Sequence, residues 1–376
     1  MKTYRHLYAQ IASFPNLLDA FYKARKGKRD KSGVAAFEYN LERELLRLER
    51  ELQSETWRPG GYTSFYINEP KRRKISAAPF SDRVVHHALM NVTGPIYERQ
   101  FIHDSYANQV GKGTHRALDR CTHFLRGHRY VLKGDIAQFF PSIDHAVLRH
   151  ILARPLRDKQ TLRLIDLILD SGAGVLSSEY TPHWFSEDFT AGGQGNLLAV
   201  MRPRGLPIGN LTSQFWANVL LNELDQYVKR DLKCKAYIRY VDDFLLFHDD
   251  KAQLHEWKAA IAAFLDARRL QLHPRKSVVF PTHLGIDFLG FRHFATHRRL
   301  RQGNARRFQR KLRRQAAAYA AGELPLEKVN QSVQSWVAHA AHGNTWHLRE
   351  AVLSSVLLLA PPPFVLETPH DVPEAA

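Results

Sequence analysis

The chain has 376 residues, 44% of them hydrophobic and 11% aromatic, enough to bury a core in one large or two to three modest domains, which excludes disorder throughout. Lys and Arg number 54 against 37 Asp and Glu, a net charge of +17 that concentrates polyanions near the surface. That charge points first to nucleic acid, with an anionic membrane surface or an RNA-bound scaffold as the alternatives, and does not by itself indicate an enzyme. Cys121 and Cys234 are too few for a disulfide framework or a Cys-based zinc site, as in a reducing cytosol. Met1 to Leu18 has no uninterrupted apolar stretch, and no later run approaches the ~18–20 apolar residues of a membrane span. A soluble, cytoplasmic protein without a membrane partner is expected.

Residues 23–31 read KARKGKRDK, a solvated loop or a contact to an RNA backbone. From Phe37 onward apolar residues at Phe37, Leu41, Leu45, Leu48 and Leu52 alternate with charges at helical spacing, predicting an amphipathic helix that opens the fold. Short β-rich runs follow at Tyr62–Ile67, Tyr130–Leu132, Tyr237–Tyr240, Phe244–Phe247 and Val278–Phe280. Long helical patterns at Ala146–Leu169 and Ser213–Leu232 separate them, an α+β arrangement. Residues 176–204 are rich in Gly, Ser, Thr and Pro and read as an inserted loop or small hairpin. Between Arg298 and Arg314 lie nine Arg or Lys and no acid, while Phe308, Leu312, Ala316 and Tyr319 keep a helical stripe, so a basic helix is expected there. Residues 361–376 carry five prolines and read as a loosely ordered tail.

The strongest chemical signal is Tyr240-Val241-Asp242-Asp243 between AYIRY and FLLF. A tight hairpin would put two carboxylates at its tip, costly to bury without a compensating cation. Asp135 closes the run at Tyr130–Leu132 and is followed by Phe139, Phe140 and Pro141. An acid at a strand end opposite that tip makes an all-oxygen site suited to two Mg²⁺ ions, with Mn²⁺ as a substitute, and hence to phosphoryl transfer. Ile136 can add its backbone carbonyl to the metal set. Asp144 precedes His145-Ala146-Val147-Leu148 and reads as a helix N-cap.

Tyr240–Asp243 with the upstream Asp135-x-x-x-Phe139-Phe140 resembles motifs C and A of reverse transcriptases, and further motifs follow in that family's order from about Tyr62 to Gly290. The resemblance implies a right-hand polymerase fold: N-terminal helices and fingers over 1–125, a palm with a small antiparallel sheet over 126–290 that includes the 176–204 insertion, a helical thumb over 291–360 and a tail over 361–376. It implies that Lys71 and Arg73, in Glu69-Pro70-Lys71-Arg72-Arg73-Lys74, reach the triphosphate of a deoxynucleotide, and that Phe140 closes over its sugar and rejects a 2′-hydroxyl. Asp82-Arg83 resembles a segment braced by an internal ion pair. In Ser105–His115, Gln109 stands where the family has Arg, which leaves Lys112 as the nucleic-acid contact. Lys276, in Leu272-His273-Pro274-Arg275-Lys276-Ser277, resembles the general acid toward pyrophosphate, beside the catalytic Asp135, Asp242 and Asp243. Asp287–Phe291 resembles the primer grip, and Trp336 with His339 a thumb helix; all of these also suit core positions. Arg306, Arg307, Arg310 and Arg313 are expected on the template–primer backbone.

Gly205-Leu206-Pro207-Ile208-Gly209-Asn210-Leu211-Thr212-Ser213-Gln214 resembles the corresponding segment of diversity-generating retroelement enzymes, with Ile208, Gly209 and Gln214 at the nucleotide. An aliphatic Ile208 packs against the nascent pair without the hydrogen bonds of an amide, which implies errors opposite template adenines. The resemblance implies a bacterial or phage-encoded enzyme using a structured RNA template, a DNA or RNA primer, dNTPs and a small basic accessory protein, with no further domain after the thumb. Two alternatives stay open: a phage-defence enzyme using its own noncoding RNA, and an inactive RNA-binding scaffold of the same fold.

Overall fold

A computed structural model of the chain describes residues 2–68, 71–189 and 195–360. The expected tail 361–376, the middle of the 176–204 segment, and Glu69 and Pro70 lie outside the described residues. The chain is α+β with antiparallel sheets and forms two compact units, one of residues 1–120 and 127–280, the other of residues 121–126 and 281 onward. Among the described residues no helix is long and apolar enough to cross a membrane.

In the first unit, helices Tyr8–Ile11 and Phe14–Arg25 precede the stripe that begins at Phe37, so that stripe does not open the fold. It is also two helices, Ser32–Tyr39 and Leu41–Gln53, because Asn40 leaves the helical conformation at φ −108° and ψ 30°. In the second of them Leu45, Leu48 and Leu52 are fully buried, while Arg47 bonds Glu44 and Glu51 one turn away on either side. The basic run at 23–31 is part helix, part loop, since Lys23 to Arg25 end the helix from Phe14. Helices Phe80–Glu98 and Leu211–Gln226 run through the core and present buried residues on most of their faces. The pattern expected from Ala146 to Leu169 divides into helices His145–Ala153 and Lys159–Gly172. Pro155 offers no N–H to continue the first, and Asp158 caps the second by accepting from Thr161 N at 3.0 Å.

Strands β1 (Thr63–Ile67) and β2 (Arg73–Ala77) form an antiparallel ribbon. Strands β3 (Tyr130–Gly134), β4 (Tyr237–Tyr240), β5 (Asp243–His248) and β6 (Val278–Pro281) form a four-stranded sheet in the order β4-β5-β3-β6. Tyr237, Ile238 and Arg239 of β4 and Phe244 to Phe247 of β5 are all buried, so both faces of the sheet's centre are covered. The segment at 176–204 contains short 3₁₀ turns and an isolated bridge between Phe189 and Gly195.

The second unit opens with a three-stranded antiparallel sheet of β7 (Ile286–Phe288), β8 (Phe291–His293) and β9 (Arg298–Leu300). Leu289 and Gly290 both take positive φ, 47° and 88°, the geometry of a two-residue turn matched to strand twist. The basic run therefore begins as strand rather than helix, and the helix starts at Gln302. Helices Gln302–Ala320, Leu326–Ala340 and Trp346–Ser354 complete the unit. Phe308 and Trp336 stack with ring centres 4.3 Å apart, and Trp336 Nε1 donates to Asn304 at 3.1 Å.

Candidate active site

Hairpin register brings the expected carboxylates to one end of the four-stranded sheet. Tyr240 pairs with Asp243, which leaves Val241 and Asp242 as a two-residue turn, and Val241 enters it at a positive φ of 55°. Antiparallel pairing of β3 with β5 sets Gly134 opposite Phe244, so Asp135 follows directly beside Asp243. Gly134 is required there: a Cβ would lie 2.2 Å from the Phe244 ring. Asp135 is stitched to the segment Leu272–Ser277, its carbonyl accepting from His273 N at 2.7 Å and its carboxylate from Lys276 Nζ at 2.9 Å. Ile136 bridges Leu272 through the flanking Asp135 carbonyl and Ala137 N–H, a pairing that does not use the carbonyl of Ile136.

Burial raises the Asp242 carboxyl from 3.8 to about 6, helped by the charges of Asp243 and Asp135 and opposed by Arg73. Asp243 is also raised, chiefly by burial and then by Asp135, while Lys133, Lys276 and Lys71 pull it down. Neither Asp242 nor Asp243 has an ion-pair partner among the described residues, whereas Asp135 has Lys276. Two half-buried carboxylates raised by burial and by neighbouring carboxylates are the donor set a hard divalent cation relieves, so the residues fit one. As the side chains stand, no three His, Cys, Asp or Glu among the described residues are gathered into a metal-ligating group.

The hairpin tip is held by residues that the sequence did not single out. Arg239 and Asp225 are both fully buried and form a bidentate pair at 2.7 and 2.6 Å. The same guanidinium donates to Asn218 at 3.0 Å, to Ser105 Oγ at 3.1 Å and to the Val241 carbonyl at 2.9 Å, while Tyr237 donates its hydroxyl to Asp225 at 2.7 Å. Arg239 thus ties the turn that carries Asp242 to the helix Leu211–Gln226. The signal available was a single Arg inside a strand whose neighbours are all apolar or aromatic.

Around this centre, Lys71 and Arg73 flank the β1–β2 turn, exposed and without an ion pair among the described residues, and their charges bear on Asp243 and Asp242 respectively. Arg72 instead lies 4.1 Å from the centre of the Tyr66 ring, and Lys74 donates to the Val175 carbonyl at 2.9 Å. Ile208 accepts from Ser76 N at 2.8 Å. Gly209 has φ +124°, and a Cβ on it would meet Ile75 at 3.0 Å, so the 205–214 segment lies against β2. Phe140 is half-buried and packs edge to face on Phe139 at 5.4 Å. Lys112 donates to the His103 carbonyl and stands 5.1 Å from the centre of the Tyr106 ring, so its ammonium braces its own loop. Asp144 is an N-cap, accepting from Ala146 N and Val147 N, and also pairs with Arg269 at 2.8 Å. Asp82 and Arg83 do not pair with each other: Asp82 accepts from Gly60 N at 2.7 Å and Arg83 Nε donates to the Ala78 carbonyl at 2.8 Å. Adjacent helical residues point in different directions, which is why the expected ion pair does not form. In the second unit, Arg306, Arg310 and Arg313 are exposed on the helix Gln302–Ala320 and Arg307 is half-buried.

The hairpin brings an acid pair and a third acid from the adjoining strand to one end of the sheet, and the chain belongs to the reverse transcriptase (RNA-dependent DNA polymerase) family, whose model matches residues 67–293. It is similar to protein YkfC of Escherichia coli, 26% identical over 304 residues that cover 70% of this chain and 74% of that protein. It is also similar to the group II intron-encoded protein LtrA of Lactococcus lactis, 25% identical over 191 residues, which cover 50% of this chain and 28% of LtrA. Among solved structures it is similar to apo telomerase from Candida tropicalis, with a TM-score of 0.44 and 12% identity over 62% of this chain. The chain spans about half, 53%, of that telomerase chain.

Proposed function

We propose that this chain copies RNA into DNA, with residues 1–125 as N-terminal helices and fingers, 126–290 as palm and 291–360 as helical thumb. The observation that carries the reading is the β3–β5–β4 register, which sets Asp135 beside Asp243 and leaves Asp242 in the adjoining turn. Asp135, Asp242, Asp243 and the Ile136 carbonyl would hold Mg²⁺, or Mn²⁺ in its place. Held there, two such ions would lower the pKa of the primer 3′-hydroxyl and offset charge on the departing pyrophosphate. Lys71 and Arg73 orient the triphosphate, which brings about four negative charges to a ribbon that has uncompensated cations to offer. Phe140 closes over the sugar and selects deoxynucleotides. As the primer 3′-oxygen forms its bond to the α-phosphorus and the P–O bond to pyrophosphate breaks, Lys276, held 2.9 Å from Asp135, gives a proton to the departing oxygen. Arg306, Arg307, Arg310 and Arg313 hold template and primer backbone.

The particular role we infer is error-prone copying of a structured RNA for targeted diversification, with a small basic accessory protein as partner. It is supported by the segment Gly205–Gln214, where Ile208 presents a hydrocarbon to the nascent pair and Gly209 and Gln214 complete the nucleotide's surroundings. The test is primer extension on a defined RNA with Mg²⁺ and dNTPs, comparing wild type with Asp242→Asn and sequencing the cDNA. Errors concentrated at template adenines support diversification. Accurate, Asp242-dependent cDNA favours a defence enzyme copying its own noncoding RNA, and absence of synthesis even with native RNA and the accessory protein leaves an RNA-binding scaffold.

A further inference from the structure

The turn after Asp135 holds a strained residue with no part in metal or nucleotide binding. Gln138 has φ 45° and ψ 44°, the left-handed region that favours glycine, and it stands between Asp135 and Phe140 where the short helix Phe139–Ser142 begins. A side chain in that conformation costs free energy and persists only where its surroundings over-determine it. The Gln138 side chain does not cap the helix it precedes. Its amide meets the segment that follows the helix Lys159–Gly172 instead: Nε2 donates to the Glu179 carbonyl at 3.0 Å and to Thr181 Oγ1 at 3.3 Å, and Oε1 accepts from Thr181 N at 3.0 Å.

One amide thus supplies both the donor and the acceptor that a facing strand would offer to the Glu179 carbonyl and the Thr181 N–H, while Tyr180 between them is extended at φ −111° and ψ 130°. A carboxylate of the same length could accept from Thr181 but has nothing to donate to Glu179. The same segment also holds the β1–β2 ribbon. Tyr66 and Lys74 face each other across the two strands; the Tyr66 hydroxyl donates to the Glu179 carboxylate at 3.1 Å, and Lys74 Nζ donates to the Val175 carbonyl at 2.9 Å. The residue next to Lys74 is Arg73, whose charge bears on Asp242. Beyond the turn, the Phe140 carbonyl accepts from Leu206 N at 3.0 Å and the Ile143 carbonyl from Gly205 N at 2.8 Å. Residues 175–181 therefore bridge the ribbon and the turn that presents Phe140, and that turn is held both at Gln138 and at the Phe140 and Ile143 carbonyls.

We propose that Gln138 is a positioning residue for sugar selection: its amide, seated on Glu179 and Thr181, fixes the turn that presents Phe140, and residues 175–181 hold that turn in register with the ribbon bearing Lys71 and Arg73. The inference rests on the reading of Phe140 as the ring that meets the sugar. Gln138 touches no substrate and acts through Phe140. Without the clamp the left-handed turn relaxes, the ring gains freedom to move aside, and a 2′-hydroxyl meets less resistance. A misplacement of order 1 Å changes a rate by about a hundredfold, so a partial loosening should lower the preference for deoxynucleotides about tenfold.

The experiment measures kcat/KM of the full chain for dGTP and for GTP opposite a template cytosine, on an RNA template with Mg²⁺, and takes their ratio. Gln138→Ala, Phe140→Ala and the double variant are compared with wild type, and urea unfolding is recorded for each; Gln138 is exposed, so its replacement leaves the core intact. Gln138→Ala should lower the ratio about tenfold, chiefly through faster use of GTP, with the unfolding midpoint near wild type. Phe140→Ala should lower the ratio further, and the double variant should match Phe140→Ala, because a residue that acts through the ring adds nothing once the ring is gone. Gln138→Glu, which keeps the length and the acceptor, should fall as far as Gln138→Ala. A ratio unchanged in both Gln138 variants while Phe140→Ala lowers it overturns the role of Gln138 and leaves the reading of Phe140 standing. A ratio unchanged in Phe140→Ala overturns that reading and the inference with it. Losses that multiply in the double variant show that Gln138 does not act through Phe140, and overturn the proposal.

Discussion

Replacing Arg239 with Met tests the physical basis of the hairpin tip. The variant leaves the Asp225 carboxylate fully buried with no counter-charge, a change of about 3–5 kcal/mol when one partner of a buried pair is removed. The Val241 carbonyl and the Asn218 side chain each lose a donor as well, worth about 1–3 kcal/mol for a group left without a partner, though coupled losses do not add. A net cost of about 3–5 kcal/mol is therefore expected, a large share of the ~5–15 kcal/mol that holds a domain together. A second change, Asp225→Asn, removes the stranded charge and keeps an oxygen for the Tyr237 hydroxyl. The double variant should recover to within about 2 kcal/mol of wild type in urea unfolding, while its nucleotide incorporation stays at least about tenfold reduced, because nothing replaces the donor to Val241. A single variant within 1 kcal/mol of wild type, or a double variant with normal incorporation, would refute this account of the turn.

Three further outcomes follow from the geometry. Gly134→Ala places a methyl 2.2 Å from the Phe244 ring, and overpacking of this kind costs about 1–3 kcal/mol; urea unfolding should register that loss, with a fall in incorporation because Phe244 adjoins Asp243. Replacing Arg306, Arg307, Arg310 and Arg313 together with Gln should lower the slope of log affinity for duplex against log salt by up to about 3.6, at about 0.9 per phosphate contact, and an unchanged slope in anisotropy titrations would remove them from the interface. Burial, with smaller contributions from His87 and Arg83, holds His86 down from 6.5 to about 3. The unfolded chain takes up that proton near pH 6.5 and the folded chain does not, so the contribution is intact above pH 6.5 and is lost as pH falls toward 3, at up to about 1.4 kcal/mol per pH unit. Unfolding measured at pH 7.5 and 5.0 should thus show a smaller acid loss for His86→Leu than for wild type, and equal losses would contradict it.

What was legible in the sequence was local. The strands around Asp242 and Asp243 announce themselves through apolar runs on both sides of an acid pair, and each of the five strand runs read from composition is a strand. Asp144 declared itself as a cap by its place before an apolar helical run. What was not legible is set by distant partners or by elements too short to carry a period. Lys276 meets Asp135 across 141 residues, and Arg239 meets Asp225 across a helix end and a turn, pairings that no spacing rule signals. Strand β2 is a charged segment whose partner is β1, and the three-residue strands β7, β8 and β9 cannot show an alternation. The helices read as continuous broke at Asn40 and Pro155, where one backbone conformation and one missing N–H outweigh an unbroken apolar stripe.

The most direct measurement is single-nucleotide incorporation by Asp242→Asn alongside its affinity for primer–template. Neutralising one carboxylate at the tip should lower incorporation at least about a thousandfold while affinity for primer–template and the unfolding midpoint stay near wild type. Incorporation within tenfold of wild type, with the fold and nucleic-acid binding intact, would contradict the assignment of this hairpin as the catalytic centre.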